Sequence, residues 1–255
     1  MSVIALFAHP GHELRALGWC MRYRPTVIFL TNGQGSKDKG RLATSVGILN
    51  EIACRVCPRS GSFTDREVYD AILADRPEAV ANFFNSVLEE HGEQVDRLIF
   101  DRTEGFNPAH DLVGVLGQQL ARGFSRGRAG AESAAWAISL EALPGEDQEH
   151  PDSVELCRCT DQELQLKQTL AQSYQELAPE VAGAIRQVGA ESFRTEWGRR
   201  IDPGRSLEES VPSKPAFESY GEERVKQGLY TRVLRRDAHL LPFLRHLLQQ
   251  LKLRR

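Results

Sequence analysis

The chain has 255 residues, 41% hydrophobic and 26% charged, with a formal net charge of −3. That length can bury a sizeable core and suits one large α/β domain or a domain with a helical annex. The slight negative balance excludes nucleic acid as the main partner, because phosphate binding wants a dominant positive field. No apolar run approaches the ~20 residues of a membrane span.

Val3-Ile4-Ala5-Leu6-Phe7 reads as a buried strand, followed after His9 by a helix from Glu13 to Met21. A second strand, Val27-Ile28-Phe29-Leu30, runs into the polar glycine loop Thr31-Asn32-Gly33-Gln34-Gly35. A helix over about 41–56 places Leu42, Val46, Leu49, Ile52 and Ala53 on one face. Pro77 fits the first turn of a helix with Val80, Phe83, Phe84, Val87 and Leu88 on its apolar side. Leu98-Ile99-Phe100 is a further strand; the loop Asn107-Pro108-Ala109-His110 leads from it into a helix running to about Ala121, and 134–140 reads as another strand. Strands alternating with helices at this spacing indicate an α/β fold with a mostly parallel, doubly wound sheet over residues 1–150.

Residues 151–255 read as a mainly helical C-terminal extension packed on that sheet. Thr160 and Glu163 form a capping box that opens a helix carrying Leu166, Leu170, Tyr174 and Leu177. The stretch 201–215, rich in Pro, Gly and Ser, reads as a long surface loop. A last helix presents Leu240, Leu241, Leu244, Leu247, Leu248 and Leu251 on one face. The opening apolar run leads into a structured motif rather than a cleavable leader, which points to a cytoplasmic protein. The odd count of five cysteines agrees with free thiols. Cys54 and Cys57, taken as helical, and Cys157 and Cys159 are expected to pack as small hydrophobes rather than to bind zinc. The basic loop of Arg122, Arg126 and Arg128 reads as solvated.

The chemistry concentrates at two strand ends: Ala8-His9-Pro10-Gly11-His12-Glu13 after the first strand, and Asn107-Pro108-Ala109-His110 after the third. Loops at the carboxyl ends of parallel strands open onto a common crevice. His9, His12 and His110 could therefore converge on one metal ion despite lying about a hundred residues apart. His91, His150, His239 and His246 have no such context and read as surface or helix-flanking residues. Gly33-Gln34-Gly35 lacks the third glycine and the acidic partner of a dinucleotide site.

Strand-Ala8-His9-Pro10-x-x-Glu13 resembles the Ala-His-Pro-Asp-Asp-Glu signature of the LmbE-like zinc-dependent N-deacetylases, related to the GlcNAc-phosphatidylinositol de-N-acetylase. The likeness extends to Leu30-Thr31-Asn32-Gly33 and to Asn107-Pro108-Ala109-His110-Asp111, and it covers roughly residues 1–140. It implies a Rossmann-like sheet with one zinc ion per chain, held by His9, His12 and His110, where His12 stands at the family's ligating Asp. It also implies substrate contacts from Asn32 and Arg41, although Thr44 replaces the Glu usual three residues after that Arg.

Two departures bear on catalysis. Gly11 stands where the family has the Asp that serves as general base, and Asn107 replaces a His that stabilises the oxyanion. An Asn amide can still donate one hydrogen bond there, whereas a positioned base typically contributes ~100- to 10,000-fold. Glu13, Glu104 and Asp111 are the candidate carboxylates: Glu13 to orient a ligand, Glu104 preferred as base on a mobile loop, and Asp111 as base or helix cap. The resemblance thus implies removal of an acetyl or other acyl group from an amino sugar or related small N-acyl compound. The other reading, favoured by Gly11, is a binding or assembly protein that has lost the chemistry. Glu196, Trp197 and Arg199 resemble a sugar-facing cluster in composition, with an anchoring Trp as the plainer account.

Overall fold

The computed structural model describes residues 2–35, 39–91, 95–126, 135–140, 150–202 and 204–252. Its strands are β1 (Ser2–Phe7), β2 (Thr26–Phe29), β3 (Arg55–Val56), β4 (Val95–Asp101), β5 (Ala135–Ile138), β6 (Ser153–Arg158) and β7 (Thr195–Arg200). They form one seven-stranded mixed sheet in the order β3-β2-β1-β4-β5-β7-β6. The strands from β1 to β5 pair parallel, and β7 runs antiparallel to both β5 and β6.

The helices are α1 (Leu17–Tyr23), α2 (Leu42–Glu51), α3 (Asp65–Leu73), α4 (Glu78–His91), α5 (Pro108–Arg126), α6 (Asp161–Ser173), α7 (Ala178–Val188), α8 (Leu207–Ser210), α9 (Ala216–Lys226) and α10 (Leu241–Gln250). Side chains alternate across a strand, so β1 feeds two cores. Ile4 and Leu6 join Ile28, Leu98 and Phe100 on one face, covered by Ile72, Phe84, Leu112 and Leu116, and by Leu244 and Leu247 of α10. Val3, Ala5 and Phe7 join Val27, Phe29 and Ile99 on the other, covered by Leu17, Trp19, Leu49 and Leu164. Burial on both faces is why these strands are continuous apolar runs rather than alternating ones. Among the described residues no helix is long and apolar enough to cross a membrane.

The chain runs from β1 outward through β2 to β3, then returns to place β4 on the other side of β1. A crevice opens at the carboxyl ends of two parallel strands whose connections leave in opposite directions. The β1–β4 ladder contains one irregularity: Ser2 lies opposite Val95 and Val3 opposite Arg97, after which pairing is one-to-one as far as Leu6 and Phe100. The extra residue, Asp96, accepts the Ser2 amide at 2.7 Å.

Several elements depart from the sequence reading. The helix expected over about 41–56 stops at Glu51, and residues 55–56 form the edge strand β3. Ala53 adopts a positive φ of 56° and the Cys54 amide closes back on the Leu49 carbonyl, which ends the helix. Helix α3 was not expected, although Thr64 and Glu67 form a capping box at its start. The presumed helical extension supplies β6 and β7 to the same sheet, and the presumed loop 201–215 contains the one-turn α8, opened by a Ser206–Glu209 box. Of the basic loop, Arg122 belongs to α5 and Arg128 lies outside the described residues.

Glu196 is no sugar contact. From β7 its carboxylate accepts the Gly18 and Trp19 amides, each at 2.7 Å, and Lys167 of α6 pairs with it at 2.6 Å in a buried site. It satisfies amides at the start of α1 that would otherwise lack acceptors.

Candidate metal centre

Strand β1 ends at Phe7, and the chain turns over Ala8-His9-Pro10-Gly11 into the short 3-10 helix His12–Ala16. Gly11 has φ 107°, a left-handed conformation that favours glycine, and this puts His9 and His12 on the same side of the turn. Strand β4 ends at Asp101, and α5 begins at Pro108 with the Asn107 side-chain oxygen accepting the Ala109 amide at 2.8 Å. His110 therefore sits in the first turn of α5, facing the β1 turn across adjacent strands.

The three histidines meet. One ring nitrogen from each of His9, His12 and His110 lies within 4.8 Å of the other two. Ring centroids are 5.1 Å apart for His9 and His12, 5.0 Å for His9 and His110, and 4.6 Å for His12 and His110. Burial lowers the pKa of both His12 and His110 well below 6.5, helped by His9 and Arg41 at His12 and by His12 and His9 at His110, so both rings are held neutral.

Two carboxylates orient two of these rings, and neither was singled out from the sequence. Asp65, the first residue of α3, has its Oδ1 2.7 Å from His9 Nδ1 and 2.6 Å from the Thr31 hydroxyl that donates to it. Burial opposes its ionisation, but the bonds from His9 and Thr31 win and hold its carboxyl well below the ordinary range. Asp101, at the tip of β4, has its Oδ2 2.8 Å from His12 Nδ1 and also accepts the Ala8 amide at 2.6 Å. Burial pushes its pKa up to about 6. A carboxylate partner places the proton on Nδ1 and leaves Nε2 with a lone pair. The Thr64–Glu67 box would have marked Asp65 at a helix start, and the strand Leu98-Ile99-Phe100 would have marked Asp101 at its end.

Two ring nitrogens are left over: His9 Nε2 and His110 Nδ1 are buried and have no hydrogen-bond partner. An unsatisfied buried polar atom costs about 1–3 kcal/mol. Neutral imidazole is the commonest metal ligand. Convergence, burial and carboxylate backing thus fit this group to a metal ion.

The other expected site residues are arranged around this centre. Glu13 is fully buried and reaches no imidazole; it accepts the Gly11 amide at 2.6 Å and the Ser45 hydroxyl, holding the turn that carries His9 and His12. Burial raises its pKa to about 7. Ser45 also meets the Tyr174 hydroxyl at 3.0 Å. Glu104 is buried and hydrogen-bonded: its carboxylate accepts the Ser139 hydroxyl and, at 2.9 Å, the Leu140 amide, and its side chain is 4% exposed. Asp111 Oδ1 accepts the amides of Glu104 and Gly105, both at 2.9 Å, so this residue pins the loop before α5 rather than capping the helix. Burial raises the Asp111 pKa to about 7, and its Oδ2 has no partner. Asn32 holds its loop, accepting the Gln34 amide on its side chain. Arg41 lies against Gly33, with its Nε buried and without a hydrogen-bond partner. Phe106 stands 52% exposed, its ring centroid 6.4 Å from that of His110.

A side chain at position 11 is disfavoured in this fold, by its φ of 107° and by the space over the turn. A Cβ on Gly11 would lie 2.4 Å from Leu177 Cδ1, because the segment after α6 fills the space over the turn. Comparison with family models, with curated proteins and with solved structures finds no match to this chain.

Proposed function

We propose that the chain is a metal-dependent hydrolase of the LmbE-like N-deacetylase kind, with a Rossmann-like doubly wound core, that removes an acyl group from a small N-acyl compound such as an acetylated amino sugar. The observation that carries this reading is the pair of unpartnered buried nitrogens, His9 Nε2 and His110 Nδ1, converging with His12. His9, His12 and His110 would hold one zinc ion. When bound, zinc supplies Lewis acidity toward a carbonyl oxygen and toward water.

The rest falls to the chain's own residues. Asp65 and Asp101 keep His9 and His12 in one tautomer and one orientation. The proton acceptor is Asp101 rather than Glu104: Asp101 Oδ1 is buried without a partner beside His12, and a carboxyl near pKa 6 suits proton transfer around neutrality. Glu104 is committed to Ser139 and Leu140. Arg41 and the exposed Phe106 ring border the centre and would contact the substrate.

The test is metal content together with acetate release from N-acetylated amino sugars. Wild type is expected to lose one equivalent of zinc on His110→Ala, and to lose acetate release on Asp101→Asn while keeping some metal. Zinc that is unchanged by His110→Ala would overturn the reading. A second reading, a metal-holding binding protein without hydrolysis, is favoured by Leu177 standing over Gly11. It predicts that zinc is bound at the histidines and that no N-acyl compound is cleaved.

A further inference from the structure

Among the described residues two groups of at least three metal-ligating side chains bring their donor atoms within 4.8 Å of one another. One is the histidine centre; the other is Cys57, Glu90 and His91. We propose that Cys57, Glu90 and His91 form a second, independent site for a thiophilic divalent cation, zinc being the ion that suits the set.

The placement is built by the fold. Cys57 directly follows the edge strand β3 and is locked there, its amide donating to the Val27 carbonyl at 2.8 Å and its carbonyl accepting the Ser60 amide at 2.9 Å. Glu90 and His91 are the last two residues of α4. Neighbouring residues on a helix normally point apart, yet Glu90 Oε1 and His91 Nε2 come within 3.7 Å of each other and share the space beside the Cys57 sulfur. A cation at that position also meets the negative end of the α4 dipole.

Two further observations fit a ligand. His91 Nε2 is buried and has no hydrogen-bond partner; the Glu90 oxygen at 3.7 Å is beyond bonding distance. Cys57 is buried, His91 half-buried and Glu90 exposed, so the carboxylate stands on the solvent side of the set. A thiolate beside an imidazole and a carboxylate matches zinc, which accepts S, N and O donors. The thiolate disfavours magnesium and calcium, which take oxygen donors. Three protein ligands leave one position open, unlike the closed four-ligand sites that hold small folds together.

The test is a cobalt(II) titration of the reduced full-length protein, read in the near-ultraviolet charge-transfer absorption that only a thiolate–cobalt bond gives. The histidine centre has no thiolate, so it is silent in this readout and the outcome does not depend on the function proposed above. Wild type is expected to develop the band to about one equivalent, and His110→Ala to keep it. Cys57→Ser should abolish it. His91→Gln, on a helix end, should keep the fold and weaken cobalt binding by more than the ~10-fold that an outer-shell change already costs. Absence of the band in wild type, or its persistence in Cys57→Ser, overturns the proposal. Should Cys57→Ser fail to fold, an unchanged affinity in His91→Gln overturns it equally.

Discussion

Asp101 Oδ2 joins two points of the same turn: it stands 2.8 Å from His12 Nδ1 and accepts the Ala8 amide at 2.6 Å. One carboxylate on β4 thus fixes both the imidazole and the backbone of the β1 turn. Asp101→Asn keeps the size and one oxygen that can accept from both partners, but it removes the negative charge that backs the His12 imidazole. Outer-shell changes of this kind typically weaken metal binding ~10- to 100-fold. We expect a drop in that range by competition with a chromophoric chelator, with little change in secondary structure. An unchanged affinity would mean that the His12 orientation is set elsewhere.

The fold favours glycine at position 11. Its φ of 107° is strained for any other residue, and a Cβ there would collide with Leu177. Gly11→Ala should cost about 1–3 kcal/mol, the scale of a non-glycine residue held in such a conformation. Leu177→Ala in the same chain should remove the collision and recover part of the loss, leaving the backbone share. Urea unfolding of the two variants checks this, and a neutral Gly11→Ala would show that the turn can rotate.

The Lys167–Glu196 pair is buried at both ends. Lys167→Met leaves the Glu196 charge against the Gly18 and Trp19 amides without its cation, and breaking one partner of a buried pair costs about 3–5 kcal/mol. Lys167→Met with Glu196→Gln should be more stable than Lys167→Met alone, because the stranded charge is gone. Denaturant midpoints rank the three proteins, and a double variant below the single one would refute this account.

Glu13 gives a pH signature in the metal-free protein. Burial raises its pKa from 4.5 to about 7, so the fold favours the neutral carboxyl. The cost of ionising it is absent below pH 4.5 and complete above pH 7, at most about 3–4 kcal/mol at ~1.4 kcal/mol per unit. Glu13→Gln can still accept the Gly11 amide and donate to the Ser45 oxygen. Wild type is therefore expected to lose stability relative to Glu13→Gln as the pH rises through that window. A constant difference between the two proteins would contradict the burial argument.

Much of the centre is legible in the sequence because it hangs on local signals. Apolar runs locate β1, β2 and β4, and histidines directly after β1 and at the start of α5 mark the strand ends that meet. The supporting carboxylates are harder to read. Asp65 and Asp101 are ordinary acidic residues until the parallel register sets Asp101 beside Ala8 and α3 turns Asp65 toward His9. Strands β6 and β7 were hidden for a related reason. β7, Thr-Glu-Trp-Gly-Arg-Arg, has little apolar content, and its inward Glu196 serves a helix cap rather than the core. Cys54 and Cys57 read as helical because the apolar spacing of α2 continues past the point where Ala53 reverses the backbone.

The extra residue in the β1–β4 ladder bears on how the length of this chain could change over time. Pairing slips once, at Asp96, and then holds to Leu6 opposite Phe100. A chain one residue shorter at Asp96 would keep Val3 opposite Arg97 and leave Asp101 turned to His12. The same loss between Leu98 and Phe100 would rotate every later side chain to the opposite face and carry Asp101 away from the histidines. Insertions and deletions in this strand are thus tolerable at its start and not at its end, so distant descendants of this sequence should differ in length at the bulge and agree from Leu98 onward.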